Sequence, residues 1–83
     1  MINIGFGNLI NKDRVVVIVN ADSAPAKRLI SGARDAGTLV DATQGRRTKS
    51  LIVTDSGCYV LSGLTTETLL SRFESDGNGG KDN

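Results

Sequence analysis

The 83-residue sequence has no histidine, no tryptophan, one cysteine, one proline and only three aromatic side chains, Phe6, Tyr59 and Phe73. Each scarcity excludes something. Without histidine the commonest general base is missing. No paired-carboxylate motif, lysine motif or nucleophile elbow replaces it, so the chain reads as a non-enzyme with no small-molecule substrate. Cys58 alone closes no disulfide within the chain. Zinc favours clustered Cys and His ligands and finds no set here; no metal or other cofactor is expected. Single-strand and RNA modules stack bases on aromatic platforms, and three scattered aromatics build none.

Long apolar runs are also missing. The longest, Val15–Val19, suits a buried strand and falls far short of the ~20 residues that span a bilayer. Met1–Gly7 lacks a basic region followed by an apolar stretch, which reads against a signal peptide. A soluble, cytoplasmic protein with no membrane partner is expected, and a lone thiol fits a reducing compartment. A chain this small buries only about 60–65% of its unfolded surface. With disulfide and metal set aside, self-association is the remaining supplement to a thin core.

What is present is charge, unevenly placed. Residues 1–73 carry nine Lys/Arg against six Asp/Glu, a net +3, and residues 74–83 carry one Lys against three acids, a net −2. The body is mildly basic and the tail mildly acidic, so the placement of the cations matters more than their total.

The organisation is β-β-α-β-β-β-α, an α+β domain over residues 1–74 with a mostly antiparallel, twisted sheet, and a glycine-rich tail over 75–83 expected to be disordered. Ile2–Ile4 reads as a strand ending in the Gly5-Phe6-Gly7-Asn8 turn. Arg14–Asn20 is a strand rich in β-branched residues. Ser23 suits a helix N-cap, Pro25 its first turn and Gly37 its C′ position. Between them Ala26, Leu29, Ile30 and Ala33 form one apolar face. Strands follow over Thr38–Thr43, Lys49–Thr54 and Cys58–Leu64, the last two joined at Asp55-Ser56-Gly57. Thr65 caps a helix over Thr66–Phe73 with Leu69, Leu70 and Phe73 as its stripe.

The basic segment Gln44-Gly45-Arg46-Arg47-Thr48-Lys49 holds three cations and no acid between two strands. Arginine offers a planar fork of donors suited to phosphate, and the aromatic poverty points to duplex DNA. The three strands between the helices leave no helix-turn-helix. The other reading is a solvated turn. Arg14 reads as a strand-end arginine paired with a nearby acid, unless the fold brings it beside Arg46 and Arg47. Lys27, Arg28 and Arg34 read as a solvated helix face. Gly5-Phe6-Gly7 is a lone G-x-G without the helix a dinucleotide site needs. Its Phe6 reads either as a subunit contact or as a plug under the sheet. Cys58 reads as inert packing, and Asp13, Asp41 and Asp55 as single surface or turn residues.

The stretches Ile2-Asn3-Ile4-Gly5-Phe6-Gly7-Asn8, Ser23-Ala24-Pro25, Ala33-Arg34-Asp35 and Asp41-Ala42-Thr43-Gln44-Gly45-Arg46-Arg47-Thr48 together resemble the RemA family (extracellular matrix regulatory protein A). The similarity extends over about residues 2–73. It implies a LytTR-like DNA-binding fold, assembly into a homo-oligomeric ring, and binding or wrapping of duplex DNA with loose sequence preference. It also implies regulation of biofilm-matrix genes. It places the family's DNA-binding arginines on Arg14, Arg46 and Arg47, with Lys49 beside them, and the family's first-turn proline on Pro25. Pro25, with the glycine-flanked Phe6, is the candidate for the oligomer interface. Gln44 and Lys49 depart from the aromatic and the arginine that the resemblance leads one to expect. The alternative is a protein-interaction module whose basic turn meets an acidic partner.

Overall fold

A computed structural model describes residues 1–81, with side chains through Ser75. Its organising element is a four-stranded sheet in the order β3-β5-β6-β4: β3 is Val15–Asn20, β4 Leu39–Asp41, β5 Ser50–Thr54 and β6 Tyr59–Ser62. The pairs β3–β5 and β5–β6 are antiparallel, and β4 lies parallel to β6. A separate antiparallel hairpin, β1 (Ile2–Gly5) and β2 (Asn8–Ile10), precedes it. The fold is α+β and mostly antiparallel, as the residue pattern implies. The expected single sheet is instead two, and one pairing is parallel.

Side-chain alternation along the strands sends residues to two opposite faces. Leu51 and Leu61 pack with Ala26 and Ile30 under helix α1 (Ala24–Ala36). Ile52 and Val60 pack on the other face with Ile2 and Ile4 of the hairpin and Leu69 of helix α2 (Thr66–Lys81). The result is three layers: α1, the sheet, and the hairpin with α2. A period-two strand that must be apolar on both faces reads as a continuous run, which is why Leu51-Ile52-Val53 shows no alternation in sequence.

The helix signals act as expected. The Ser23 hydroxyl accepts from the Ala26 N–H at 3.2 Å, Pro25 sits in the first turn, and Gly37 ends α1 in the left-handed conformation. α2 runs on to Lys81 instead of ending at Phe73. Of the tail expected over 75–83, residues 75–81 thus belong to α2, and 82 and 83 lie outside the described residues. Three local expectations are corrected. Val16 and Val17 are 65% and 42% exposed, because β3 is an edge strand with a register irregularity between Val15 and Val17. Arg14 closes a 3-10 turn, Lys12–Arg14, instead of opening the strand. Cys58 is exposed in the β5–β6 turn and packs against no core, since β6 begins only at Tyr59. No described helix is long and apolar enough to cross a membrane.

Candidate nucleic-acid interface

The two interior strands and both edges deliver one set of ends to the same place. Asn20 faces Ser50, Ser50 faces Ser62, and Asp41 faces Leu61, so the C-terminal ends of β3, β4 and β6 gather around the start of β5. The basic segment lies across this end.

Its position is fixed from Thr43 onward. Thr43 is 2% exposed. Its backbone N–H and its hydroxyl both donate to Asp41 Oδ1, at 2.9 and 2.6 Å. Those two bonds, hydroxyl first, hold the Asp41 carboxyl below the usual carboxylate range. Arg34 adds a smaller push in the same direction against the opposing effect of desolvation. The next residues turn sharply: the Arg46 N–H closes onto the Thr43 carbonyl at 3.0 Å. Gln44 and Gly45 have φ of 55° and 78°. Two successive left-handed residues are the type I′ combination, and Gly45 takes the second position without a Cβ clash. At the far end Lys49 is stitched on both sides, its N–H donating to Ser62 O at 2.9 Å and its carbonyl accepting from Ala21 N–H at 3.1 Å. Lys49 therefore continues β5 in hydrogen bonding, and the loop between the Thr43 and Lys49 anchors is five residues long, 44–48, with Thr48 half-buried.

Arg46, Arg47 and Lys49 are all exposed. The Arg46 guanidinium lies over the Phe6 ring, 4.7 Å from its centroid. Arg47 Nη2 stands 3.5 Å from Asp22 Oδ2, with both side chains largely in solvent. Beside them a cleft of about 250 Å³ is lined by Asn20, Asp22, Arg47, Lys49, Thr65 and Glu67, among others. Two acids and two cations in that lining leave it without net charge. The exposed arginines, not the cleft, give this end its basic character.

The fold brings Arg46, Arg47 and Lys49 together but leaves Arg14 apart. Val15 pairs with Thr54, at the opposite end of β3–β5 from the Asn20–Ser50 pair. Five strand steps of about 3.3 Å separate Val15 from Asn20, so Arg14, one residue further out, stands at least roughly 16 Å from the end of the sheet that carries the basic turn. There its Nε donates to Asp55 Oδ1 at 2.8 Å, the strand-end ion pair that the residue types suggest. Phe6 is 44% exposed, so it is not a plug under the sheet. Pro25 is exposed in the first turn of α1.

Sequence reasoning passes over Thr43, Gly63 and Ser62. The Asp41-x-Thr43 spacing is a readable signal, because a carboxylate two residues before a threonine makes an Asx-type clamp. Gly63 carries no local signal at all. The Ser62 hydroxyl, buried, donates to Ile4 O at 2.8 Å and so ties the hairpin to the sheet.

A family model described as RemA-like, extracellular matrix regulatory protein A-like, matches residues 1–73. The chain belongs to the RemA-like family. Among its relatives, a protein of Acaryochloris marina named "Putative regulatory protein" is 57% identical over 76 residues, which is 92% of this chain and 86% of that one. A protein of the same name from Microcystis aeruginosa is 56% identical over 73 residues, 88% of this chain and 82% of that one. A third, from Pseudothermotoga lettingae, is 53% identical over 74 residues, 89% and 81% of the two chains. The matched 1–73 span of this RemA-like chain includes the whole basic turn, its Asp41–Thr43 clamp and the Phe6 hairpin.

Proposed function

We propose that this RemA-like protein is a DNA-binding regulator that works as a homo-oligomeric ring, grips or wraps duplex DNA by its backbone, and controls matrix genes. The observation that carries this reading is the clamped basic turn. Arg46 and Arg47 project from a loop fixed at both ends, with Lys49 beside them on a doubly hydrogen-bonded backbone. The family's description as an extracellular matrix regulatory protein and the relatives' names supply the regulatory part.

Charge arithmetic argues for the oligomer. Each phosphate neutralised contributes about −0.9 to the salt slope of log K. Three cations on one protomer therefore hold DNA weakly. Repeating the turn around an assembly multiplies the contacts on one duplex, and each further contact forms within an already bound complex. Assembly also answers the placement of Arg14, which a single protomer keeps at least roughly 16 Å from the end of the sheet that carries the turn. A neighbouring copy is the means by which both groups line one DNA path.

The test is fluorescence anisotropy with long and short duplexes across a salt series, comparing wild type with Arg46→Ala/Arg47→Ala, each checked by light scattering. We expect tighter binding to longer DNA, and a salt slope lower by about 1.8 for every protomer engaged once two contacts are removed. A double mutant that assembles normally and binds like wild type refutes the assignment of the turn.

A further inference from the structure

Phe6 breaks a local rule. The hairpin β1–β2 turns on two residues, Phe6 and Gly7, with φ of 54° and 79°. Such turns favour Asn, Asp or Gly at the first position, since a residue with a Cβ is strained in the left-handed region. A bulky aromatic there persists only where something else fixes it. A hydrophobic role alone does not, because the ring remains 44% exposed.

The ring lies against Gly63 and under the Arg46 guanidinium. A Cβ built on Gly63 would stand 3.3 Å from Phe6 Cε2, 3.7 Å from the Arg47 carbonyl and 3.8 Å from Arg46 Cβ. The backbone of Gly63 has no positive φ, so a side chain there meets no conformational strain, but the Phe6 ring has to give by a few tenths of an ångström to admit it. The Arg46 guanidinium sits over the ring, 4.7 Å from its centroid, in cation–π range. The hairpin is itself held to the site. Asn8 Nδ2 donates to Ala42 O at 3.1 Å, next to the Asp41–Thr43 clamp, and Ser62 Oγ donates to Ile4 O.

We infer that Phe6 is a positioning residue for Arg46, a flat seat set on the glycine at position 63 that presents the guanidinium outward to a DNA phosphate. The strain at Phe6, the missing Cβ at Gly63 and the stacked guanidinium are three separate observations with this one consequence. The inference rests on the DNA-binding reading for its effect on affinity, while the seating itself stands independently of DNA.

The test uses the full-length chain and separates the two. The Arg46 side-chain N–H and CH₂ resonances, assigned with Arg46→Lys, report ring-current shifts from Phe6 in the absence of DNA. Phe6→Asn suits the left-handed turn and removes the ring; Phe6→Tyr keeps the π face; Gly63→Ala pushes the ring from its seat. The expected result is loss of the Arg46 shift in Phe6→Asn, a reduced shift in Gly63→Ala and retention in Phe6→Tyr. DNA affinity follows the same order, about two- to fivefold weaker per engaged protomer without the ring. The oligomeric state stays unchanged throughout. An unchanged Arg46 shift in Phe6→Asn overturns the inference. So does wild-type affinity in that variant, or a loss of affinity that tracks dissociation of the oligomer. If Phe6→Asn does not fold, Gly63→Ala decides on the same readouts. If wild type itself binds no DNA, the function reading falls, and the ring-current result still decides whether Phe6 seats Arg46.

Discussion

Under the proposed DNA-binding function, replacing Asp55 by asparagine should loosen the protein slightly and tighten its hold on DNA. Arg14 Nε donates to Asp55 Oδ1 at 2.8 Å, and the two side chains are 57% and 49% exposed. An ion pair this wet contributes about 0.2–1 kcal/mol to stability, so Asp55→Asn lowers stability by less than about 1 kcal/mol. The turn keeps its shape, because the Asp55 N–H also donates to the Arg14 carbonyl at 2.9 Å and that bond is untouched. If Arg14 serves the proposed DNA path, the same free energy is given up when its guanidinium turns from Asp55 to a phosphate. Removing it in advance raises affinity by about 1.4- to 5-fold per engaged protomer. Both effects shrink as salt screens the pair. Denaturant unfolding and anisotropy titrations on the variant, wild type and Arg14→Ala measure the two quantities side by side. If Asp55→Asn weakens DNA binding while Arg14→Ala also weakens it, Asp55 aims Arg14 instead of restraining it, and the reasoning fails.

Thr43→Val keeps the side-chain volume but deletes the hydroxyl bonded to Asp41 at 2.6 Å inside a 2%-exposed site. Denaturant unfolding should show a loss of about 1–2 kcal/mol. The pH dependence of stability should carry a contribution from Asp41. Its folded carboxyl titrates below the ordinary value because of its bonds from Thr43. A lowered folded value favours the native state at every pH above the unfolded value of about 3.9. That contribution is lost as pH falls from there through the folded value. Asp41→Asn should therefore flatten the acid limb of a stability–pH curve while leaving its shape above about pH 5 unchanged.

Much of this architecture can be read from the chain, where the information is local. Ser23, Pro25 and Gly37 bracket α1 because caps are made by neighbours in sequence. The glycine-flanked Phe6 and the Gln44-Gly45 pair mark turns for the same reason, and the cluster of Arg46, Arg47 and Lys49 is contiguous in the chain. The unread parts depend on distant partners. Nothing in Leu39-Val40-Asp41 announces that it lies parallel to Tyr59–Ser62. Val16 and Val17 resemble buried strand residues because their exposure follows from the edge position of β3, which sheet order decides. Cys58 is outside β6 because Thr54 closes the β5–β6 turn onto it, its hydroxyl accepting from the Cys58 N–H and donating to the Cys58 carbonyl. The separation of Arg14 from the basic turn likewise comes from the antiparallel register of β3 and β5.

The docking of the hairpin has a consequence for how the chain reaches this state. Ile2 and Ile4 bury themselves against Ile52, Val60 and Leu69, and Arg72 Nη1 donates to Asn3 O at 2.9 Å across 69 positions. The hairpin can close on its own within about 1–10 μs, yet its apolar face has no surface to join until β6 and α2 exist. On a ribosome adding about 5–20 residues per second, Ile2–Ile10 waits several seconds while the segment through Phe73 is made. The clamp at Asp41 and Thr43 spans three residues and needs no such wait. The near end of the loop carrying Arg46 thus takes shape early, while its far anchor on Ser62 and the aromatic seat, although Phe6 is synthesised first, wait for the rest of the chain.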